Sequence, residues 1–514
     1  MSNSPQNPYS SERIAKGLKH FVMGKALTSV SGIGTLLLVI RGLPIEEFAA
    51  YSILFGLVDV LLVATAVGTS QVLTRFIPEV FSLHYSYALR RLLTLTLGLR
   101  FSLLVLCLGV LLLLSAPFAA KIGLDHWQTA LELYLLVVLF RTGNNTLYQV
   151  LEAMLHQGRG QGAFAAVTFG RFIGVAGLYF TGHLDLINVI VVEIITDAVG
   201  LLLMSLGVYQ VSRVPPGTDA NRANRAAELQ WLLMSRRRML SFGLKGYLQV
   251  LVIMPFSGVV NRLVIGSQLP TAQVALFGFG QSIFDQMQRF LPAQLLAGTI
   301  RPVMAARFSS GGSFAEASVI SNAILKINLL LIGMVVVGLV AGGDEMLLQV
   351  TRGKYGGQAL TLLLVMCLLI TLESWRHVLD QLAHTVERYG FLVFTNALLG
   401  ASLMLGLALI PRLGVLALPL ANCVGLVIAN QLVSWWLGRT GFPYKPDVNG
   451  IFRIVLATGC GVGAGIVLQA IVGNWVLRAL IAVAAYAGCI FAVLSARSEE
   501  RLLFGTFLAK RRSA

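Results

Sequence analysis

Long apolar segments recur along the chain, separated by short polar or basic stretches. A helix rises 1.5 Å per residue, so about 20 apolar residues cross the roughly 30 Å hydrocarbon layer. Fourteen segments meet that length, near 21–41, 48–71, 92–116, 128–154, 163–182, 187–211, 240–266, 271–298, 319–341, 358–383, 391–410, 415–437, 452–472 and 476–496. The fourth, eighth and tenth are the least apolar. The pattern predicts an all-α integral membrane protein of about 14 transmembrane helices.

Composition agrees. Hydrophobic residues make up 56% of the chain and charged residues 12%, against about 25% charged in soluble proteins. The mean hydropathy is +0.79. One aqueous core cannot hide that much apolar surface, so lipid is part of the solvent. The five cysteines, Cys107, Cys367, Cys423, Cys460 and Cys489, all sit in apolar runs with no CxxC spacing. They read as packing residues, and no metal site or cofactor is expected. The polar, basic opening lacks a small-residue cleavage site after the first apolar run, which reads as a retained span.

The formal charge of +16 acquires meaning from its position. With the N-terminus cytoplasmic, the outside segments hold only Arg41, Lys121, Arg352, Lys354, Arg412 and Arg478. The inside segments gather most of the rest, including Arg90, Arg91, Arg236, Arg237 and Arg238, and a basic tail with Arg497, Arg501, Lys510, Arg511 and Arg512. Positive charge on the cytoplasmic side sets orientation. Both termini are therefore expected in the cytoplasm, and the basic balance needs no nucleic-acid partner. Trp127, Trp435, Trp436 and Trp475 fall near span ends, as an interfacial belt requires.

A weak duplication organises the chain. Gly17-Leu18-Lys19 recurs as Gly243-Leu244-Lys245, an offset of 226 positions. At the same offset Leu43-Pro44 matches Leu269-Pro270, Asp59 matches Asp285, Arg75 matches Arg301 and Arg100 matches Lys326. A shift of two residues then sets Tyr148–His156 over Arg376–His384. Two parallel repeats of six spans follow, with spans 13 and 14 outside them. The expected divisions are an N-lobe over 1–212, a basic cytoplasmic linker over 213–239 around Pro215-Pro216-Gly217, a C-lobe over 240–438, and spans 13–14 with the tail over 439–514.

Ionisable groups inside a membrane cost about 2.5–3.5 kcal/mol each at the bilayer centre and mark function or pairing. Lys25, Arg100, Arg141, Arg171, Lys245, Arg262, Arg289, Lys326 and Arg376 lie within or near spans, as do Asp59, Glu132, Glu152, Glu193, Asp197, Asp285, Glu373 and Asp380. Lys19, Lys326 and Arg100 suit snorkelling to an interface. Gln281, Asp285 and Arg289 share one helical face by their spacing of four, so Asp285 and Arg289 can pair, which lowers their joint cost. Facing lipid, such stripes are costly; lining a wet passage, the cations attract anions. Arginine suits bidentate phosphate contact. The candidate substrate-binding cations are Lys25, Arg141, Lys245, Arg262, Arg289 and Arg376. Asp59 and Asp285, at equivalent repeat positions, are the candidates for coupling a proton or sodium ion. Structural ion pairing is the competing reading for each.

The opening stretch Gly17–Ala26 through Leu43-Pro44-Ile-Glu-Glu-Phe-Ala-Ala-Tyr-Ser52, with the fourteen spans and the six-plus-six duplication, resembles the multidrug/oligosaccharidyl-lipid/polysaccharide exporter superfamily. Within it the opening is similar to polysaccharide transporters, including O-antigen (Wzx-type) flippases. The resemblance implies a V-shaped two-lobe fold with spans 1, 2, 7 and 8 lining a central cavity. It implies a non-enzymatic carrier that moves undecaprenyl-diphosphate-linked oligosaccharide from the cytoplasmic to the periplasmic leaflet of a bacterial inner membrane. Polysaccharide polymerase machinery is then a candidate partner alongside membrane lipids. No GxxxxGK[ST] sequence is present, which argues against ATP hydrolysis on this chain. A drug/cation antiporter of the same superfamily, a peptidoglycan-lipid flippase and a membrane glycan polymerase or ligase are the rival readings. The short outside segments disfavour the last.

Overall fold

In a computed structural model of the chain, residues 11–83, 85–154, 156–212, 221–292, 313–386 and 390–494 are described. Arg301 of the duplication, Pro215-Pro216-Gly217 of the expected linker and the basic tail lie outside the described residues. The regular structure of the described residues is helical, with no strand among them. Hydrocarbon explains this, because only a helix satisfies its backbone polar groups within one segment. The chain divides into two compact units, Met1–Ser282 and Ile283–Ala514.

The first unit contains α1 (Ser11–Gly42), α2 (Ile45–Ala64), α3 (Thr69–Ser82), α4 (Ser86–Leu113), short α5 (Ser115–Lys121), α6 (Gln128–Ala153), α7 (Gln157–Thr181), α8 (Leu186–Ser212), α9 (Asn221–Ile253) and α10 (Gly258–Gln268). It also holds the start of α11 (Thr271–Phe290). Helix α1 packs on α7, α6 and α7 pack on α8, and α10 packs on α2. A cluster around Leu73, Phe76, Leu92, Leu147, Met204 and Met239 joins α3, α4, α6, α8 and α9.

The second unit continues with α12 (Phe314–Thr351), α13 (Gly357–Thr385), α14 (Gly390–Leu413), α15 (Ala417–Arg439), α16 (Val448–Ile471) and α17 (Trp475–Leu494). Its core has two parts. Leu325, Val378, Leu382, Leu392 and Val433 bring α12–α15 together. Val337, Ala341, Ala457, Ala482 and Tyr486 lock α16 and α17 onto α12. Elsewhere large apolar side chains point outward: Leu113 is 86% exposed and Phe180 81%. Helix surfaces of that kind belong in lipid.

Ten helical stretches among the described residues are long and apolar enough to cross a membrane, one of them the joined run 390–439. Each of the fourteen expected segments meets a helix, yet α6, α10, α11 and α17 fall short of that standard. Helix α6 carries Glu132, Arg141, Asn144, Asn145 and Glu152, and α11 carries Gln281, Asp285 and Arg289. Polarity excludes α6 and α11, whereas α10 (Gly258–Gln268) and the apolar stretch of α17 (Trp475–Phe491) are too short.

The expected seventh span, 240–266, is not one helix. Helix α9 starts at Asn221, within the expected linker, and stops at Ile253. A single 3-10 turn, Met254–Phe256, follows. Pro255 removes a backbone donor and disfavours helix at the residue before it. Ser257 is extended, and its Oγ accepts from Val260 N at 3.4 Å, capping the new helix α10. The expected second span, 48–71, also ends early, at Ala64. Gly68 then takes φ +81, and a Cβ there would lie 2.6 Å from the backbone of Gly243. Only glycine allows both that conformation and that approach.

Candidate functional site

Helices α2, α6, α7 and α8 converge on a buried charge cluster in the first unit. Glu193 and Asp197 lie four residues apart on one face of α8 and are 0% and 2% exposed. Arg141 of α6 donates from Nε and Nη2 to Asp197 Oδ2 at 3.0 and 2.8 Å. The same Nη2 is 3.0 Å from Glu193 Oε2. Arg171 of α7 donates from Nη2 to Asp197 Oδ1 at 2.9 Å, with its Nε 3.7 Å from Glu193 Oε1. Tyr51 of α2 donates its hydroxyl proton to Glu193 Oε1 at 2.9 Å. Asn144 donates to the Asp197 carbonyl oxygen at 2.9 Å. Two guanidinium groups thus face two carboxylates, so the four charges sum to zero. Desolvating them is costly, and mutual pairing with added hydrogen bonds offsets that cost.

Phe55 extends this cluster. The Arg141 guanidinium sits 5.7 Å from its ring centroid, and that of Arg262 sits 5.0 Å away. Two cations share one aromatic ring, each within cation–π range. Arg262 lies in the first turns of α10, is 3% exposed, and donates from Nη2 to Ser282 Oγ at 3.4 Å. The structure therefore brings together two of the sequence-expected cations, Arg141 and Arg262, on either helix that touches α2. Asp59 is half-buried one turn beyond Phe55 on α2. Lys25 is half-buried on α1 and interacts electrostatically with Glu152 of α6. Lys245 is exposed on α9.

The second unit holds a separate set. Arg376 of α13 is 5% exposed. Its Nε lies 3.0 Å from Asp380, one turn on, and its Nη2 donates to Thr395 Oγ1 at 2.9 Å and Asn396 Oδ1 at 2.8 Å on α14. Glu373, one turn before Arg376, accepts a hydrogen bond from the Gln288 amide and lies within electrostatic reach of half-buried Asp285. Asn328, Ser374 and His377 line the crevice beside it. Arg289 is exposed near the end of α11. Among the described residues, no group of three or more His, Cys, Asp or Glu is placed to hold a metal ion.

Reasoning from the sequence named Arg141 but missed its setting. Glu193 and Asp197, four apart in an otherwise apolar segment, were the available signal. Phe55 and Tyr51 gave none, because an aromatic residue in a membrane span is ordinary until a neighbouring cation is located.

Long apolar helices packed around paired, buried charges give an all-α membrane fold. The chain is similar to a solved structure of the lipid II flippase MurJ in an inward closed conformation, with a TM-score of 0.65 and 12% identity over 92% of this chain and 99% of that one. It is also similar to an inward-facing multidrug resistance MATE family transporter of the MOP superfamily, with a TM-score of 0.58 and 12% identity over 83% of this chain and 95% of that one. No protein-family model matches the chain, and no curated protein matches it in sequence. The fold is thus that of the flippase and multidrug transporter structures.

Proposed function

We propose that the chain is a flippase, carrying an undecaprenyl-diphosphate-linked oligosaccharide from the cytoplasmic to the periplasmic leaflet of a bacterial inner membrane. The observation that supports this most is the fold likeness, over 92% of the chain, to a protein described as a lipid II flippase. The chemistry of the helices is compatible. A lipid diphosphate needs cations to replace lost hydration. Arg141 and Arg376 are already engaged by carboxylates, so direct diphosphate contact is assigned to exposed Lys245 and Arg289 and half-buried Lys25. Arg262, held against Phe55, contributes a fixed positive potential. Asp59 and Asp285 couple an ion to alternating access. Both termini face the cytoplasm, and the glycan is handed to polysaccharide polymerase machinery.

Depletion of the protein tests this reading. It predicts accumulation of the lipid-linked repeat unit on the cytoplasmic side of the membrane, with loss of surface polysaccharide. The likeness to the multidrug transporter supports a second reading, export of cationic drugs. Raised drug sensitivity on depletion, with normal surface polysaccharide, would favour that one.

A further inference from the structure

Helix α12 is bent near its end. Gly343 has φ +58 and ψ −156 inside the helix, a conformation reserved for glycine. Gln469 of α16 donates its amide to the Val340 carbonyl oxygen at 2.6 Å, satisfying an acceptor beside the break. The last turns of α12 thereby border the short connection between α16 and α17. A groove of about 610 Å³ lies there, lined by Glu345, Leu348, Gln349, Asn474, Trp475 and Val476. It belongs wholly to the second unit.

The polar groups of this groove are fixed in place. Arg478, with only 4% of its side chain exposed, donates to Glu345 Oε2 at 2.5 Å, while Glu345 itself is 57% exposed. A buried guanidinium thus holds a carboxylate whose other oxygen is free to face the groove. Trp475 donates its indole N–H to Gln349 Oε1 at 2.6 Å, which immobilises the ring. Asn474 uses Oδ1 to accept from Val476 N at 2.9 Å and Leu477 N at 3.3 Å, capping α17. Its NH2 group is the donor left to present.

We propose that this groove binds a sugar ring. A hexopyranose has an apolar face of C–H groups and a rim of hydroxyls. A fixed indole accepts the first, and planar carboxylate and amide groups accept and donate to the second. The ligand class is a neutral or N-acetylated pyranose, because the lining holds no cation to pair with a uronic or other acidic sugar and Arg478 is already taken by Glu345. The expected topology puts both the end of α12 and the α16–α17 connection outside the cytoplasm. This inference rests on the glycan-carrier reading and deepens it: the groove holds the sugar as it leaves the membrane.

The test uses the full chain in nanodiscs. The probes are chitotriose, trigalacturonate, and the oligosaccharide freed by mild acid from the lipid-linked pool of the native cells. Binding is read by saturation-transfer NMR and titration calorimetry. Chitotriose or the freed oligosaccharide is expected to bind, and trigalacturonate is not. Trp475→Ala and Glu345→Gln should each weaken binding about tenfold or more, the loss of one stacking surface or one charged hydrogen bond. Trp475→Phe should retain part of it. Phe491→Ala, which alters an exposed aromatic on the same helix, should change nothing. If neither chitotriose nor the freed oligosaccharide binds, or Trp475→Ala binds like the parent, Trp475 is an interfacial anchor only and the proposal falls. The parent reading is scored separately, by lipid-linked glycan accumulation on depletion: accumulation without groove binding sinks the groove alone, and groove binding without accumulation sinks the carrier reading alone.

Discussion

Replacing Asp197 by Asn keeps the volume of the side chain and removes one charge from the cluster on α6, α7 and α8. Arg141 and Arg171 then share Glu193 alone, leaving an excess positive charge among groups almost wholly buried. At an effective dielectric of about 20, unit charges roughly 4 Å apart interact by about 4 kcal/mol. Asp197 makes that contact with both arginines, at 2.8 and 2.9 Å. Breaking a buried pair from one side costs about 3–5 kcal/mol, and Asp197→Asn should do so. Arg171→Gln should cost a similar amount through the opposite imbalance. The double variant restores neutrality, with Arg141 facing Glu193. Its loss should therefore fall short of the sum of the singles by about 0.5–3 kcal/mol, the range for directly coupled residues. Unfolding of the detergent-solubilised protein, followed by tryptophan fluorescence in thermal and denaturant series, measures all four forms. Strict additivity would refute the claim that the four charges act as one neutral unit.

Gly68→Ala should destabilise the first unit by more than about 1–3 kcal/mol, since it combines a left-handed φ with a backbone clash against Gly243; loss of monodisperse protein on size exclusion is the readout. Arg289 is exposed, so Arg289→Ala should fold normally while glycan export falls about tenfold, one charge-assisted hydrogen bond's worth; unchanged export would assign Arg289 a role outside substrate contact. Asp59→Asn with Asp285→Asn should remove the dependence of transport on an imposed ion gradient; gradient-driven transport at the parent rate would exclude both from coupling.

Much of the fold was legible because lipid imposes a length and a polarity on each span, and both are written in local composition. The break in the seventh segment was half legible. Pro255 was visible, but where a proline divides a helix depends on what receives the freed backbone groups, here Ser257. Charges were legible as residues and illegible as partners. Arg376 and Asp380 are four apart on one helix and so could be read locally. The four charges of the first unit come from three helices, and their pairing exists only after packing. Phe55 between Arg141 and Arg262 lies deeper still, because its meaning depends on two other helices at once.

The most direct test is reconstitution of the purified chain into sealed vesicles carrying a lipid-diphosphate oligosaccharide in one leaflet, with a lectin or glycosidase confined to the other side. The account predicts that the saccharide becomes accessible across the bilayer, faster with an ion gradient than without. Accessibility no greater than in protein-free vesicles, alongside uptake of a cationic drug by the same preparation, would contradict it.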